Sequence, residues 1–423
     1  MPKKLNKTDI KRQRLRNALL AMFIGDALSM PAHWYYSIEN IVKVFGGGVR
    51  GYVDPPHPHL ESFMVGMDYT PDVENAKRLG RVYDILHEHA RFYKTSYSSL
   101  QIQISDQAKV TGNAVPELSD RYHYHYGLKA GENTLGAHLV RVLMRSVIRI
   151  GRYDHNAFID DFIMHLTTPG MNRDPYTEIY IRRWFENYSR GVPPHACAEL
   201  QRNAWSIGAH GGIIRPMVLS TIADSPYQGL GLAVEHQNIT HRSENIASAL
   251  GILVPLFHDL LKGSDPQKTI PAYTRRLRLP RITGDKLLAA YRDHGGPGNI
   301  PKEEMWRLHT ELADAPFELD RFVHAHPDEE SIGRLIATAC YPEHGLPLLF
   351  SLAWRNEMDI EAALLANTNA GGDNVHRGMI LGLILGAARD KLPEHLVKGL
   401  IACNDLKNEI DAFSEIALGR KGI

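Results

Sequence analysis

The sequence has few of the residues that identify a secreted or nucleic-acid-binding protein. Three cysteines occur in 423 residues, and the wide spacing of Cys197, Cys340 and Cys403 provides neither a disulfide framework nor a paired-cysteine metal motif. Lys plus Arg equals Asp plus Glu at 48 each, so no net field attracts nucleic acid or anionic lipid. We therefore expect an intracellular protein in a reducing compartment, with no nucleic-acid partner.

Long apolar runs are also missing. The basic N-terminus turns apolar from Ala18 to Ile24, but this run is short and Asp26 interrupts the next turn, unlike a signal peptide. No stretch reaches the ~18 apolar residues that a membrane-spanning helix needs. The sequence therefore predicts a soluble, cytoplasmic protein with no membrane partner, and it predicts no oligomeric state.

Alternating strand segments with hairpin turns are absent, and helical periodicity dominates the chain. Apolar residues recur at helical spacing near the N-terminus, and a strong amphipathic helix follows Leu135, with Arg141 and Arg145 placed off its apolar face. Further helices are predicted near 76–93, 156–166, 176–190, 195–205, 228–236, 243–262, 267–277, 284–293, 302–314, 317–325, 329–340, 346–354, 359–367 and 374–389.

The domain organisation predicted from this pattern is simple. No fixed-period repeat, low-complexity segment or obvious linker divides the chain, so we predict an all-α fold in a single large helical domain over residues 1–423. Residues 45–75 are rich in Gly, Pro and His and indicate a loop, and residues 104–131 are irregular. The region 45–131 therefore resembles an insertion of loops and one helix.

Asp26 is the first candidate functional residue. It lies three, four and seven positions after Phe23, Met22 and Leu19, on the apolar stripe of its helix. A carboxylate at such a place must be paired, hydrogen-bonded or bound to a cation. Asp26 is thus either a buried packing carboxylate or part of a site.

Two further segments each stand at the start of a predicted helix, residues 131–134 and residues 369–376. Helix starts present free N–H groups and a partial positive charge, which suit phosphates and orient carboxylates. Glu132, Asn133 and Asp373 supply the oxygen ligands that hard cations such as magnesium prefer. Water beside such a carboxylate can attack a glycosidic carbon. The alternative is that these residues only cap their helices.

The helix after Asp373 also carries a structural signal. Gly371 and Gly372 predict a turn without side chains, and Asp373 is a favoured N-cap residue. Glycine disfavours an isolated helix by ~1 kcal/mol against alanine. The regular spacing of the next glycines therefore predicts a close approach by another backbone at Gly378, Gly382 and Gly386.

The order of five segments resembles the motifs of the ADP-ribosylglycohydrolase family across residues 14–392. The second corresponds to the family's Thr-Asp-Asp-Thr motif and the last to its GGDTDT helix. The segments are Gly25-Asp26-Ala27-Leu28 with Pro31 and His33, Gly131-Glu132-Asn133-Thr134, the glycine loop Gly208 to Pro216, Asn238-Ile239-Thr240-His241, and Asn369 to His376.

This resemblance implies an all-α fold, a cleft that usually holds two magnesium ions, and cleavage of ADP-ribose from a small-molecule or protein target. It implies that the catalytic carboxylates are Glu132 and Asp373. By the same resemblance, Glu132, Asn133, Asp373 and His376 are candidate metal ligands. The candidate substrate-binding residues are Asp26, His33, Gly211, Gly212 and His241.

Several positions depart from the family's pattern. Gly131, Glu132 and Asn133 stand where the family has a threonine and two aspartates, and His376 and His33 replace expected oxygen ligands. Carboxylates at the matched positions fall from four to two, so we predict fewer than two magnesium ions. A single ion, another metal and no metal all remain open, and imidazole ligands would favour a transition metal.

Two alternatives to an ADP-ribosyl hydrolase arise from these departures. The first is a catalytically inactive family member that binds a nucleotide-like or sugar-like ligand. The second is a glycosidase with a different substrate, whose pocket the region 45–127 reshapes. In that region the aromatic residues 122–126 either form a surface strand or stack on a base or sugar.

Overall fold

The computed structural model describes residues 7–62, 64, 67–93, 121–294 and 299–419. Regular structure in these ranges is helical, and β-structure is limited there to isolated bridges, such as the one between Leu200 and Arg242. The predicted all-α fold is therefore confirmed. Much of the irregular region predicted at 104–131 lies outside the described residues.

The helices of the described ranges are numbered in chain order. The first nine are α1 Lys7–Ser29, α2 Ile38–Val44, α3 Val73–Leu79, α4 Leu135–Ile150, α5 His155–Thr167, α6 Ile179–Ser189, α7 Gly211–Ser220, α8 Pro226–Thr240 and α9 Glu244–Leu261. The others are α10 Pro266–Thr274, α11 Gly284–Asp293, α12 Lys302–Thr310, α13 Leu319–Ala325, α14 Asp328–Ser331, α15 Pro342–Arg355, α16 Ile360–Ala370, α17 Asn374–Ala387, α18 Glu394–Gly399 and α19 Cys403–Gly419.

Helices α1 and α17 pack against each other at the centre of the core. Every residue of α17 is buried, and its glycines face the backbone of α1. A Cβ atom built on Gly386 would lie 2.6 Å from the Asn17 carbonyl oxygen, and one on Gly378 would lie 2.8 Å from the Gly25 carbonyl oxygen. The close backbone approach predicted from the glycine spacing is confirmed, and α1 is the partner.

Local capping explains where several of the predicted helices begin. The side chains of Asp154, Ser243 and Asp359 each accept a hydrogen bond from a backbone N–H in the first turn of α5, α9 and α16. Such caps satisfy N–H groups that have no partner inside the helix. The predicted starts at 156, 243 and 359 therefore lie within one residue of those in the structure.

Two predicted helices are wrong. Residues 195–205 instead contain two short 3₁₀ turns, at Pro194–Ala196 and Trp205–Gly208, because the chain between them bridges to Arg242. The helix predicted at 329–340 ends at Ser331, and Gly333 then takes a φ of 79°, which the right-handed helix does not allow. The helix predicted at 76–93 is shortened in the same way, because Gly80 has a φ of 65°.

Tertiary contacts explain one wrong prediction in α4 and one helix, α7, that was not predicted. Arg141 is buried rather than off the apolar face, because its guanidinium forms two hydrogen bonds with Glu409 of α19. Helix α7 contains Pro216 and begins with two glycines, so its local helix propensity is weak. All of its residues are nevertheless buried. Burial outweighs the weak local propensity of α7, and α2, α18 and α19 are further helices that the sequence analysis did not predict.

One described helix, α9, is long and apolar enough to cross a membrane by length and composition. In the structure 61% of this segment is buried inside the protein. Leu250, Leu253 and Phe257 contribute to a hydrophobic cluster that extends from Leu15 to Ala417. The helix α9 therefore has the environment of a core helix. The number of domains stays a prediction.

Candidate active site

Asp373 lies at the centre of a buried polar cluster at the start of α17. Its backbone N–H donates to the Thr338 carbonyl oxygen at 2.9 Å, which fixes it beside a neighbouring loop. Gly371 and Gly372 precede it with φ values of 66° and 63°, and a Cβ on either would collide with a backbone carbonyl oxygen. The glycine pair is thus required for the turn that presents Asp373.

The Asp373 side chain does not cap its helix. Among the described residues its carboxylate contacts three imidazoles instead. Oδ1 lies 2.8 Å from His376 Nδ1 and 3.4 Å from His33 Nε2, and Oδ2 lies 3.2 Å from His210 Nδ1. All four side chains are nearly inaccessible to solvent.

These contacts extend into a chain of three carboxylates and three imidazoles, which we call the Asp373 network. His33 Nδ1 lies 2.7 Å from His125 Nε2, and His125 Nδ1 lies 2.9 Å from Asp174 Oδ1. On the other side, His376 Nε2 lies 3.2 Å from Glu178 Oε1. In order, the network consists of Asp174, His125, His33, Asp373, His376 and Glu178.

The network perturbs the ionisation of its members. Burial raises the pKa of Asp373, but the charge of His376 and the contacts with His210, His33 and His376 lower it well below its ordinary value. Burial lowers the pKa of His376, but Asp373 and Glu178 raise it well above its ordinary value. Burial lowers the pKa of His33 to about 3. Perturbed groups of this kind are common at functional sites.

Four helix starts meet at the network. Glu178, His210 and Asp373 are the residues that precede α6, α7 and α17. At the start of α4, Asp174 Oδ2 accepts a hydrogen bond from the Leu135 N–H at 2.7 Å. Helix starts favour negative charge, so their convergence stabilises the buried carboxylates and suits an anionic ligand nearby.

Asp26 is fully buried, as its place on the apolar stripe predicts. Its carboxylate accepts hydrogen bonds from Asn133 Nδ2 at 2.8 Å and from both the N–H and the hydroxyl of Thr134. Burial raises its pKa, and these hydrogen bonds oppose the shift. Asp26 therefore joins α1 to the start of α4.

The Glu132 side chain does not contact Asp373 and pairs instead with other described residues. Its carboxylate oxygens contact the Arg173 guanidinium at 2.9 Å and the Lys129 N–H at 3.0 Å. The Asn133 amide is directed to Asp26 and to the Phe23 carbonyl oxygen. The structure therefore does not bring Glu132 or Asn133 into contact with Asp373 or His376, and their predicted roles stay predictions.

Gly211 and Gly212 begin α7 beside the other end of the network. A Cβ on Gly211 would lie 2.9 Å from Glu178 Oε2, and one on Gly212 would lie 2.8 Å from the His241 ring. His241 is buried, with Nδ1 2.8 Å from the Thr240 hydroxyl. The two glycines thus make room for Glu178 and His241, and substrate binding by these residues stays a prediction.

Aromatic rings surround the histidine side of the network. The Trp34 ring stacks on the His33 ring at 4.8 Å, and Tyr176 meets His33 edge-on at 5.7 Å. Trp34 has a φ of 66°, which is strained for a residue with a side chain. The backbone N–H of Trp34 donates to the Gly372 carbonyl oxygen at 2.9 Å. Tyr124, from the aromatic segment 122–126, is also buried here.

Sequence reasoning missed four members of this site. His125 is apparent in the sequence only as part of an aromatic segment, and His210 only as part of a glycine loop. Asp174 and Glu178 lie in a loop without a recognisable motif, although Asp174 precedes a proline and Glu178 precedes a helix. Only the tertiary fold brings these residues to His33 and His376.

A cavity with a volume of about 610 Å³ lies away from the network. It is lined by residues such as Gln201, Arg242 and Trp306, and no member of the Asp373 network lines it. We place the candidate active site at the network because the buried carboxylates, imidazoles and helix starts meet there.

Comparisons with known proteins agree with this architecture. The sequence profile described as ADP-ribosylglycohydrolase matches residues 90–421. Among solved structures, the chain is similar to one described as an ADP-ribosylglycohydrolase-related protein complex, with 15% identity and a TM-score of 0.51. That alignment covers 96% of this chain and 99% of the other, and at this identity it shows the fold alone. No curated protein matches the sequence.

Proposed function

Because the chain belongs to the ADP-ribosylglycohydrolase family, we propose that it hydrolyses an ADP-ribosyl or related ribosyl glycosidic bond beside the Asp373 network. Membership of this family supports glycosidic-bond hydrolysis as the reaction class. The substrate is a small molecule or an ADP-ribosylated target, and its diphosphate would lie near the converging helix starts, whose N–H groups suit anions.

The buried ionised carboxylate of Asp373 is the observation that carries this proposal. A buried charge destabilises a fold unless it is paired and hydrogen-bonded, and the imidazoles around Asp373 supply that pairing. Asp373 holds three imidazoles in fixed positions, and the network ends at Glu178. Such an arrangement suits a preorganised reaction centre.

The carboxylates differ in their access to a substrate. Asp373 is fully buried, whereas the side chains of Glu178 and Glu132 are 12% and 11% exposed. We assign to Glu178 or Glu132 the orientation and deprotonation of the attacking water. Asp373 would orient His376, which in turn orients Glu178.

The two-magnesium centre that is usual in this family does not fit the residues present. Magnesium requires several oxygen ligands around each ion. Here Glu132 is paired with Arg173, the Asn133 amide with Asp26, and Asp373 is surrounded by imidazoles. No catalytic step is therefore assigned to magnesium.

A thermal-shift screen followed by a turnover assay tests the function. ADP-ribose, nucleotides and sugars are screened first, since ligand at ~100 times its dissociation constant stabilises a fold by ~2.7 kcal/mol. Each hit is then supplied as its glycoside and the free sugar is measured. We expect Glu132→Gln or Glu178→Gln, and Asp373→Asn, to reduce turnover by about 10²–10⁴-fold. Glu361→Gln, which alters an exposed carboxylate paired with His395, is the matched control.

The outcomes separate the competing functions. Tight binding without turnover would support the inactive, ligand-binding family member. Turnover of a glycoside other than ADP-ribosyl compounds would support the alternative glycosidase. Turnover that survives substitution of all three carboxylates would place the chemistry elsewhere and overturn the site assignment.

A further inference from the structure

The hydrogen-bond pattern of the Asp373 network requires more positive charge than its neutral histidines provide. The six residues are joined by five contacts, and each contact needs a proton or a cation between its two heavy atoms. Three neutral imidazoles carry one N–H each, so two of the five contacts are left for an added proton or a cation. The raised pKa of His376 describes the network when a proton fills its contact with Asp373.

The carboxylates at the two ends of the network show which two contacts lack a proton, because each must accept a hydrogen bond from its neighbouring imidazole. Asp174 accepts from His125 Nδ1, so neutral His125 must accept at Nε2 from the His33 Nδ1–H. The His33 Nε2 lone pair then faces Asp373 Oδ1 at 3.4 Å, and this nitrogen has no hydrogen-bond partner among the described residues.

The same reasoning applies on the other side of Asp373. Glu178 accepts from His376 Nε2–H, so in neutral His376 the Nδ1 lone pair faces Asp373 Oδ1 at 2.8 Å. Both unfilled contacts therefore converge on one carboxylate oxygen. One divalent cation beside Oδ1 supplies the charge that two additional protons would otherwise provide.

We propose that His33 Nε2, Asp373 Oδ1 and His376 Nδ1 bind one divalent first-row transition-metal ion. These three atoms lie within 4.8 Å of one another, and all three residues are buried. Two ligand atoms that each lie about 2.1 Å from one ion, with ligand–metal–ligand angles of about 85–110°, are about 2.8–3.4 Å apart. The distances from Asp373 Oδ1 to His376 Nδ1 and to His33 Nε2 are 2.8 Å and 3.4 Å.

The surroundings of the three ligands are those of a metal site. A metal-bound histidine commonly donates its other N–H to a carboxylate or other acceptor, which fixes its tautomer. Here His33 donates to the His125–Asp174 pair and His376 donates to Glu178. The second oxygen of Asp373 accepts from His210 Nδ1, so every ligand has an outer partner.

The ligand types determine the class of metal. Two imidazoles and one carboxylate are typical of transition-metal sites such as those of iron, manganese or zinc. Magnesium prefers oxygen ligands and binds nitrogen poorly. The site would thus take a transition metal where the family usually holds magnesium.

Metal stoichiometry measured on the full chain tests this proposal without an activity assay. The protein is stripped with a chelator, reconstituted separately with Mn²⁺, Co²⁺, Zn²⁺ or Mg²⁺, dialysed, and analysed by mass spectrometry of the elements. We expect one transition-metal ion per chain and no retained magnesium. His33→Ala and His376→Ala should lose the ion, whereas His258→Gln, which alters a buried histidine outside the network, should keep it.

A spectroscopic measurement covers the case in which the variants fail to fold. X-ray absorption of the Co²⁺-loaded wild-type protein should show scattering from two imidazole rings. A protein that takes up no transition metal would overturn the proposal and leave two extra protons in the network. Two bound magnesium ions, or metal retained in folded His33→Ala, would overturn it as well. None of these results depends on the proposed hydrolase activity.

Discussion

Replacement of Gly386 by alanine should destabilise the protein, although alanine is the better helix former. In an open helix the change would stabilise by ~1 kcal/mol. At Gly386 the new Cβ would lie 2.6 Å from the Asn17 carbonyl oxygen and 2.8 Å from the Ala18 Cα, both rigid backbone atoms of α1. Overpacking of this kind costs ~1–3 kcal/mol, so we expect a net loss of up to about 2 kcal/mol.

Gly251 provides the matched control for this experiment. It lies in the interior of α9, and a Cβ there would meet no atom within 4 Å, so Gly251→Ala should stabilise by about 0.5–1 kcal/mol. Urea unfolding followed by far-ultraviolet circular dichroism measures both variants. Equal stabilisation by the two substitutions would refute the close packing of α1 against α17.

Two further substitutions test buried carboxylates. Asp26→Ala should lower stability by ~1–3 kcal/mol or abolish activity, because Asn133 and Thr134 lose their acceptor. Unchanged melting and ligand binding would contradict its burial. Burial raises the pKa of Glu343 from 4.5 to about 7, so the fold favours its protonated form. The contribution of Glu343 to the free energy of unfolding should be fully present below the ordinary pKa of 4.5 and be lost as the pH rises through about 7. Melting temperatures of Glu343→Gln should lack this decline, and identical pH profiles would exclude the assignment.

Features that depend on neighbours in the chain were predictable. The helical phase that placed Asp26 on an apolar stripe needed only the residues of α1, and the spacing of Gly378, Gly382 and Gly386 indicated a close helix contact. The contact partner was not predictable, because α1 lies at the opposite end of the chain from those glycines.

The candidate site was predictable in part for the same reason. His33, Asp373 and His376 stand in or beside recognisable motifs, and the structure brings them together. Asp174 and Glu178 belong to a loop that lies beside the network only in the folded protein. The local sequence pattern does not indicate where this loop lies. The pairing of Glu132 with Arg173 likewise depends on where this loop lies.

We propose that the Asp373 network is the functional centre of this protein. Crystals grown with Mn²⁺ and ADP-ribose, and measured for anomalous scattering, test it most directly. We expect one anomalous peak between His33, Asp373 and His376, with ligand density beside Glu178. Ligand bound instead in the cavity lined by Arg242 and Trp306, with no peak beside Asp373, would contradict it.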